Sequence, residues 1–266
     1  MKKVVLLLTL MAFLTSCNVT ESIVFNDNMS GEFKTSFDLS PMMQLAGSQG
    51  SSKPESDMKK MDTTIVFNDL YKTHKDSIAA LSVEERAKLD KLRDITMTIS
   101  MDEANHVFDF SMIKPFKSVK DLESISDQMD NAMGIVKDIG NEDGQAPAGQ
   151  MDELTKTEEV NYYFANNTFS RIQPASLINN NEDEESSDEE SGADEDDFGK
   201  QLEMQFEEIF SSSFYTLTYT FPKRVKSVSN ANATLSDDGK TVFYKVSLSE
   251  INKDDTLMNL NIVLED

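Results

Sequence analysis

Apolar and polar side chains alternate most regularly at residues 94–101, placing Ile95, Met97, Ile99 and Met101 on one parity. Such a period of two is the signature of a strand with one buried face. Glu103-Ala104-Asn105 then turns the chain, and residues 106–110 return as the second arm of a hairpin. Two more hairpins are predicted. Residues 22–25 and 32–39 flank the turn-forming run Asn26-Asp27-Asn28-Met29-Ser30-Gly31, with Phe33, Phe37 and Leu39 in phase. Residues 158–165 and 168–172 flank Asn166-Asn167, a pair that tolerates the positive φ of a tight turn.

Helical spacing appears between these hairpins. Ser82 and Glu85 make a capping box that predicts a helix running to about Lys91. Ser118 with Asp121 resembles a second cap. Behind it Leu122, Ile125, Met129, Ala132, Met133 and Val136 predict an amphipathic helix over 119–139. Phe198, Leu202, Phe206, Ile209 and Phe210 form another helical stripe, and Pro41-Met42-Met43 opens a short one. Residues 47–60 and 140–149 read as loops. From Phe214 onward strands are predicted at 215–221, 225–229, 241–248 and 257–264, with Asp237-Asp238-Gly239-Lys240 as a tight turn. No run of parallel βαβ units is present. The predicted fold class is α+β: a mostly antiparallel twisted sheet built from hairpins, with about three helices packed on one face.

The N-terminus follows a different logic. Met1-Lys2-Lys3 is positively charged, and an apolar run from Val4 to Leu14 is interrupted only by Thr9. As a helix this run would extend roughly 16 Å, too short for a hydrocarbon core of about 30 Å but suited to an export signal. It ends on Leu14-Thr15-Ser16-Cys17, which resembles the lipobox of bacterial lipoproteins. The resemblance implies a signal peptide at 1–16, lipidation of Cys17, attachment to a membrane through that lipid, and a mature single domain at 17–266. Asn18 is not the Asp of an inner-membrane retention signal, and the residues after it lack the acidic run of some surface-exported Bacteroidota lipoproteins. The resemblance therefore implies the outer membrane, facing the periplasm, with the cell surface as the alternative. Residues 23–25 and 30–32 also resemble the opening of Bacteroidota lipoproteins of unknown function. Phe221-Pro222-Lys223-Arg224-Val225 and Asp237-Asp238-Gly239-Lys240-Thr241-Val242 are similar to the end of bacterial lipoprotein domains of the LppM-like class.

Charge narrows the choice of partner. The net charge is −23, and removing Lys2 and Lys3 with the signal leaves −25. Such a body repels nucleic acid and anionic headgroups. Residues 182–197 hold 11 Asp or Glu among 16, without a basic residue. The tract has almost nothing apolar to offset the ordering entropy of about 1–2 kcal/mol per residue, so 181–197 is predicted to be a disordered acidic loop.

Candidate chemistry is sparse. Cys17 is the one cysteine, and His74 and His106 are the only histidines. His106, beside a turn, reads as a solvated ring and not as a metal ligand. No nucleophile-elbow, zincin, Walker A or dinucleotide-binding pattern occurs. The carboxylates of residues 188–199 do not reproduce the spacing of a calcium loop. Met42, Met43, Met58 and Met61 read as apolar contacts and not as a copper site. Tryptophan is absent, and Tyr162 and Tyr163 read as core residues. No catalytic residue, metal site or cofactor is therefore assigned. The sequence favours a lipid-anchored, non-enzymatic binding or structural module with an envelope protein as its partner. The alternative is an envelope hydrolase or small-ligand-binding protein that uses carboxylates converging in a cleft.

Overall fold

The computed structural model describes residues 18–49, 60–141, 159–174, 204–205 and 208–266. Cys17, the acidic tract 181–197 and most of the 198–210 stripe lie outside these residues. Among the described residues the strands sort into two sheets. In spatial order the eight-stranded sheet holds β10 (Thr234–Leu235), β11 (Thr241–Ser247), β8 (Phe214–Thr220), β1 (Asn18–Phe25), β2 (Gly31–Asp38), β5 (Val107–Phe116), β4 (Thr96–Asp102) and β3 (Lys60–Val66). The four-stranded sheet holds β6 (Asn161–Ala165), β7 (Thr168–Ile172), β12 (Leu260–Leu264) and β9 (Val225–Val228). Of these strands only β1 and β8 pair in parallel. The mixed, mostly antiparallel class read from the sequence holds.

All three hairpins form in the predicted order. At the β1–β2 turn Gly31 is obligatory, because a Cβ there would sit 2.1 Å from the Val24 carbonyl oxygen and 2.8 Å from the Phe116 ring. Asn166 and Asn167 both take positive φ, 52° and 56°, which gives β6 and β7 the twist that a two-residue turn requires. The Ser82–Glu85 capping box opens α4 (Val83–Lys91).

Three regions depart from the pattern, one being the strand expected at 257–264, which opens as a 3₁₀ turn at Asp255–Met258 before β12. Residues 60–80 form β3, α2 (Phe67–Thr73) and α3 (Lys75–Ala80), none of which the periodicity announced. β3 is an edge strand whose residues are only exposed or half-buried, so its sequence carries little apolar contrast. The 119–139 helix is also split. The Ser118–Asp121 box caps a 3₁₀ turn at Val119–Leu122, and α5 runs Ile125–Asn141. Lys114 supplies the reason: its Nζ donates to the Asp121 carbonyl at 2.6 Å, and Leu122 is fully buried.

The core lies on one face of the large sheet. Ile23, Phe25, Phe33, Phe110, Met112, Leu217 and Tyr219 point to it, and all are buried. The small sheet covers one part, contributing Tyr162, Phe169, Leu260 and Ile262. Ile125, Met129 and Ala132 of α5 are buried too, and Gln128 ties that helix to Lys114 of β5 and the Lys91 carbonyl of α4. Phe169 stands among Phe25, Tyr219 and Phe221, with ring centroids 5.1, 5.3 and 5.7 Å away. Phe169→Ala should therefore lower stability by about 3–5 kcal/mol, since a cavity there has rigid walls. Chemical denaturation checks this, and a loss below about 1 kcal/mol would mean that the two sheets are not in close contact.

The opposite face of the large sheet is polar. Thr20, Ser22, Ser36, Thr98, Ser100, Ser111, Thr216 and Thr218 are half-buried side chains on it.

Candidate functional site

Glu21 occupies an inward position of β1, in phase with Val19, Ile23 and Phe25. An ionised carboxylate among such neighbours must find compensation. It finds it across the sheet interface. Arg171, inward on β7 and in phase with Phe169, places its NH2 3.3 Å from Glu21 Oε2, and both side chains are 2% exposed. Three hydroxyls donate to the same carboxylate: Tyr162 at 2.7 Å, Tyr219 at 2.5 Å and Tyr215 at 2.9 Å. Arg171 NH1 turns the other way and donates to the Met258 carbonyl at 3.1 Å and Gln173 Oε1 at 3.3 Å. Residues from β1, β6, β7, β8 and the turn at Met258 thus meet at one charge pair.

Electrostatics follow from this packing. Burial opposes ionisation of Glu21, but Arg171 and the Tyr219 and Tyr162 hydroxyls outweigh it and hold the carboxyl below the usual carboxylate range. Burial likewise opposes charge on Arg171, yet Glu21 holds it well above its ordinary value. For Tyr162, Tyr215 and Tyr219, burial first and the Glu21 charge second push the phenols upward. The cluster holds a stable carboxylate and three neutral phenols, locked together between the sheets.

Lys114 is another buried cation, and burial lowers its pKa. Its Nζ donates to Gln128 Oε1 at 2.6 Å as well as to the Asp121 carbonyl. This arrangement fixes α5 and the 3₁₀ turn against β5.

The surface of the described residues includes two open depressions that gather charged side chains. One, of about 280 Å³, lies on the polar face and is lined by Asn18, Lys34, Asp38, Ser100, Asp109 and Ser111 among others. Asp38 and Asp109 are directly opposite in the β2–β5 ladder. Burial, and then the Asp38 charge, raise the pKa of Asp109. The second depression, of about 370 Å³, lies on α2–α4 and presents Lys75, Arg86 and Arg93. Arg93 is already engaged, stacking 3.9 Å over Tyr71 and donating to Asp90 at 2.7 Å. Burial and the nearby Asp90 carboxylate push the Tyr71 phenol up to about 12. Arg86 Nε is buried without a hydrogen-bond partner. Here an acidic molecule shows positive charge.

The structure does not bring together the candidates read from the sequence. Cys17 lies outside the described residues. His106 is exposed, in the left-handed region at the end of the β4–β5 turn, and His74 is exposed between α2 and α3. Tyr162 is buried in the Glu21 cluster, whereas Tyr163 is 54% exposed. The Glu21–Arg171 pair escaped the sequence reading, although a signal existed: each charge sits in phase with apolar neighbours of a strand.

No protein-family model matches the chain, and no curated protein matches it. Among solved structures, the NMR structure of the folded domain of Mycobacterium tuberculosis LppM is similar over 96% of this chain and 93% of that one. The identity is 7% and the TM-score 0.38. The Bacteroidota resemblance of residues 23–32 finds no counterpart in these comparisons.

Proposed function

We propose that the chain is a cell-envelope lipoprotein, held by lipid on Cys17, whose body is a non-enzymatic binding or structural module. The ordered n-region, apolar run and Leu14-Thr15-Ser16-Cys17 support the anchor. Supporting the reading of the body is the fate of its densest described cluster of ionisable side chains: Glu21, Arg171 and the three tyrosines are consumed in joining two sheets. The basic depression around Lys75 and Arg86 is the surface that suits an acidic partner in the envelope. No described helix is long and apolar enough to cross a membrane, and the attachment proposed is the lipid. The outer membrane, periplasmic side, is the proposed address.

Cys17→Ala should move the protein from the membrane fraction to the soluble fraction, with the precursor uncleaved or unacylated. Intact-mass measurement of the wild type decides the matter, and an unmodified Cys17 would sink the proposal. The facing carboxylates of Asp38 and Asp109 favour a second reading, a carboxylate hydrolase working on the open sheet face. That reading requires hydrolysis of an envelope glycan or ester that Asp109→Asn abolishes, and purified protein inert toward both substrate classes would exclude it.

A further inference from the structure

Cys17 and Asn18 are joined by one peptide bond, which spans 3.80 Å between Cα atoms. Asn18 already pairs with Asp38 on one side and Phe214 on the other, and Val19 is 7% exposed. A lipid on Cys17 would therefore enter the fold with no tether. β1 is the fourth strand of eight, so the entry point lies in the middle of the sheet and not at a loose edge. From these facts, and resting on the lipidation proposed above, we infer that the protein stands on the bilayer by one defined rim of the large sheet.

The rim is a single row across seven strands: Ser247, Phe214, Asn18, Asp38, Asp109, Ser100 and Asp62 are paired in succession. Among the described residues, the connections that extend beyond this row are α1 (Ser40–Gln49), the 3₁₀ turn Glu103–Asn105 with His106, residues 208–213, and α6 (Leu248–Ile251). They lie just beyond Asn18 and form the surface next to the headgroups. The row includes Asp38, Asp62 and Asp109, so charge does not draw it to an anionic bilayer. The lipid on Cys17 alone imposes the contact.

This pose sets heights for everything else. β1 rises about 3.3 Å per residue, so the turn at 26–30 stands about 23 Å or more above the rim. α2, α3 and α4 follow the far end of β3, which carries the basic depression away from the membrane. The depression holding Asp38 and Asp109 lies at the headgroup boundary.

Reporter labels on single added cysteines test the pose in the acylated full-length protein, where Cys17 offers no free thiol. Asn105→Cys lies at the rim and Asn28→Cys at the far turn, and both residues are exposed. In vesicles of phosphatidylethanolamine with a headgroup-attached quencher, the label at 105 should be quenched several-fold more than the label at 28. A Gly/Ser insert of about 12 residues between Cys17 and Asn18 gives a flexible reach of about 20 Å and should erase the contrast. Equal quenching without the insert, or contrast that survives it, overturns the inference. Absence of the acyl mass on Cys17 would instead overturn the anchor, and the pose with it.

Discussion

Raising the pH above 10 should cost the protein about 4 kcal/mol of stability for each further unit. Tyr162, Tyr215 and Tyr219 all have folded-state pKa values above the ordinary 10.0. A group raised in the folded state contributes stability that is fully present below its unfolded pKa and is lost as pH rises toward the folded one. Above pH 10 the unfolded chain releases three protons that the folded cluster must keep, at about 1.4 kcal/mol each per pH unit, and the raised Tyr71 phenol adds to the slope. A domain stable by about 5–15 kcal/mol unfolds within a few units of such a slope. Urea midpoints between pH 8 and 12 would measure it, and Tyr162→Phe should lower the slope by about 1.4 kcal/mol per pH unit. Phenols that titrate near 10 while the protein stays folded would refute the buried-cluster account. Glu21 acts at the other end of the scale. Its depressed pKa contributes stability above the ordinary carboxylate value, lost as pH falls through the folded one.

The second large effect comes from removing one partner of the ion pair. Arg171→Met leaves the Glu21 charge buried with only hydroxyl donors, a change that costs about 3–5 kcal/mol in buried pairs. Adding Glu21→Gln should return part of that loss. The amide oxygen still accepts from the tyrosines, but no net charge remains between the sheets. Replacement by leucine would not do the same, because Tyr162, Tyr215 and Tyr219 would each keep a stranded donor at about 1–3 kcal/mol. A double variant less stable than Arg171→Met alone would contradict the assignment of Glu21 as the carboxylate that Arg171 neutralises.

What could be read from the sequence tracks how strongly each element depends on local chemistry. The Asn166-Asn167 turn, the Ser82–Glu85 box and the β4–β5 hairpin were legible because their residues fix them within a few positions. β3 was not, because an edge strand has no fully buried side to announce itself. The split before α5 depends on Lys114 capturing a carbonyl seven residues along the chain, which periodicity does not encode. The Glu21 cluster was the least legible feature, since its members meet across separations of 141 to 198 residues. Glu21 by itself looks like a solvated strand residue. It becomes a buried one only when Val19 and Ile23 are seen to share its face with a second sheet above.

The parallel pairing of β1 with β8 bears on the timing of folding. β1 opens the described chain, whereas its partner at 214–220 lies in the last quarter of the sequence. Closing the central ladder therefore has to wait for almost the whole chain, and contacts so distant in sequence form slowly. Until then β1 has only β2 beside it, and its Glu21 face remains wet. Under the export proposed above, such an order would keep the chain extended during passage and delay its most polar closure until both ends are on the same side of the membrane.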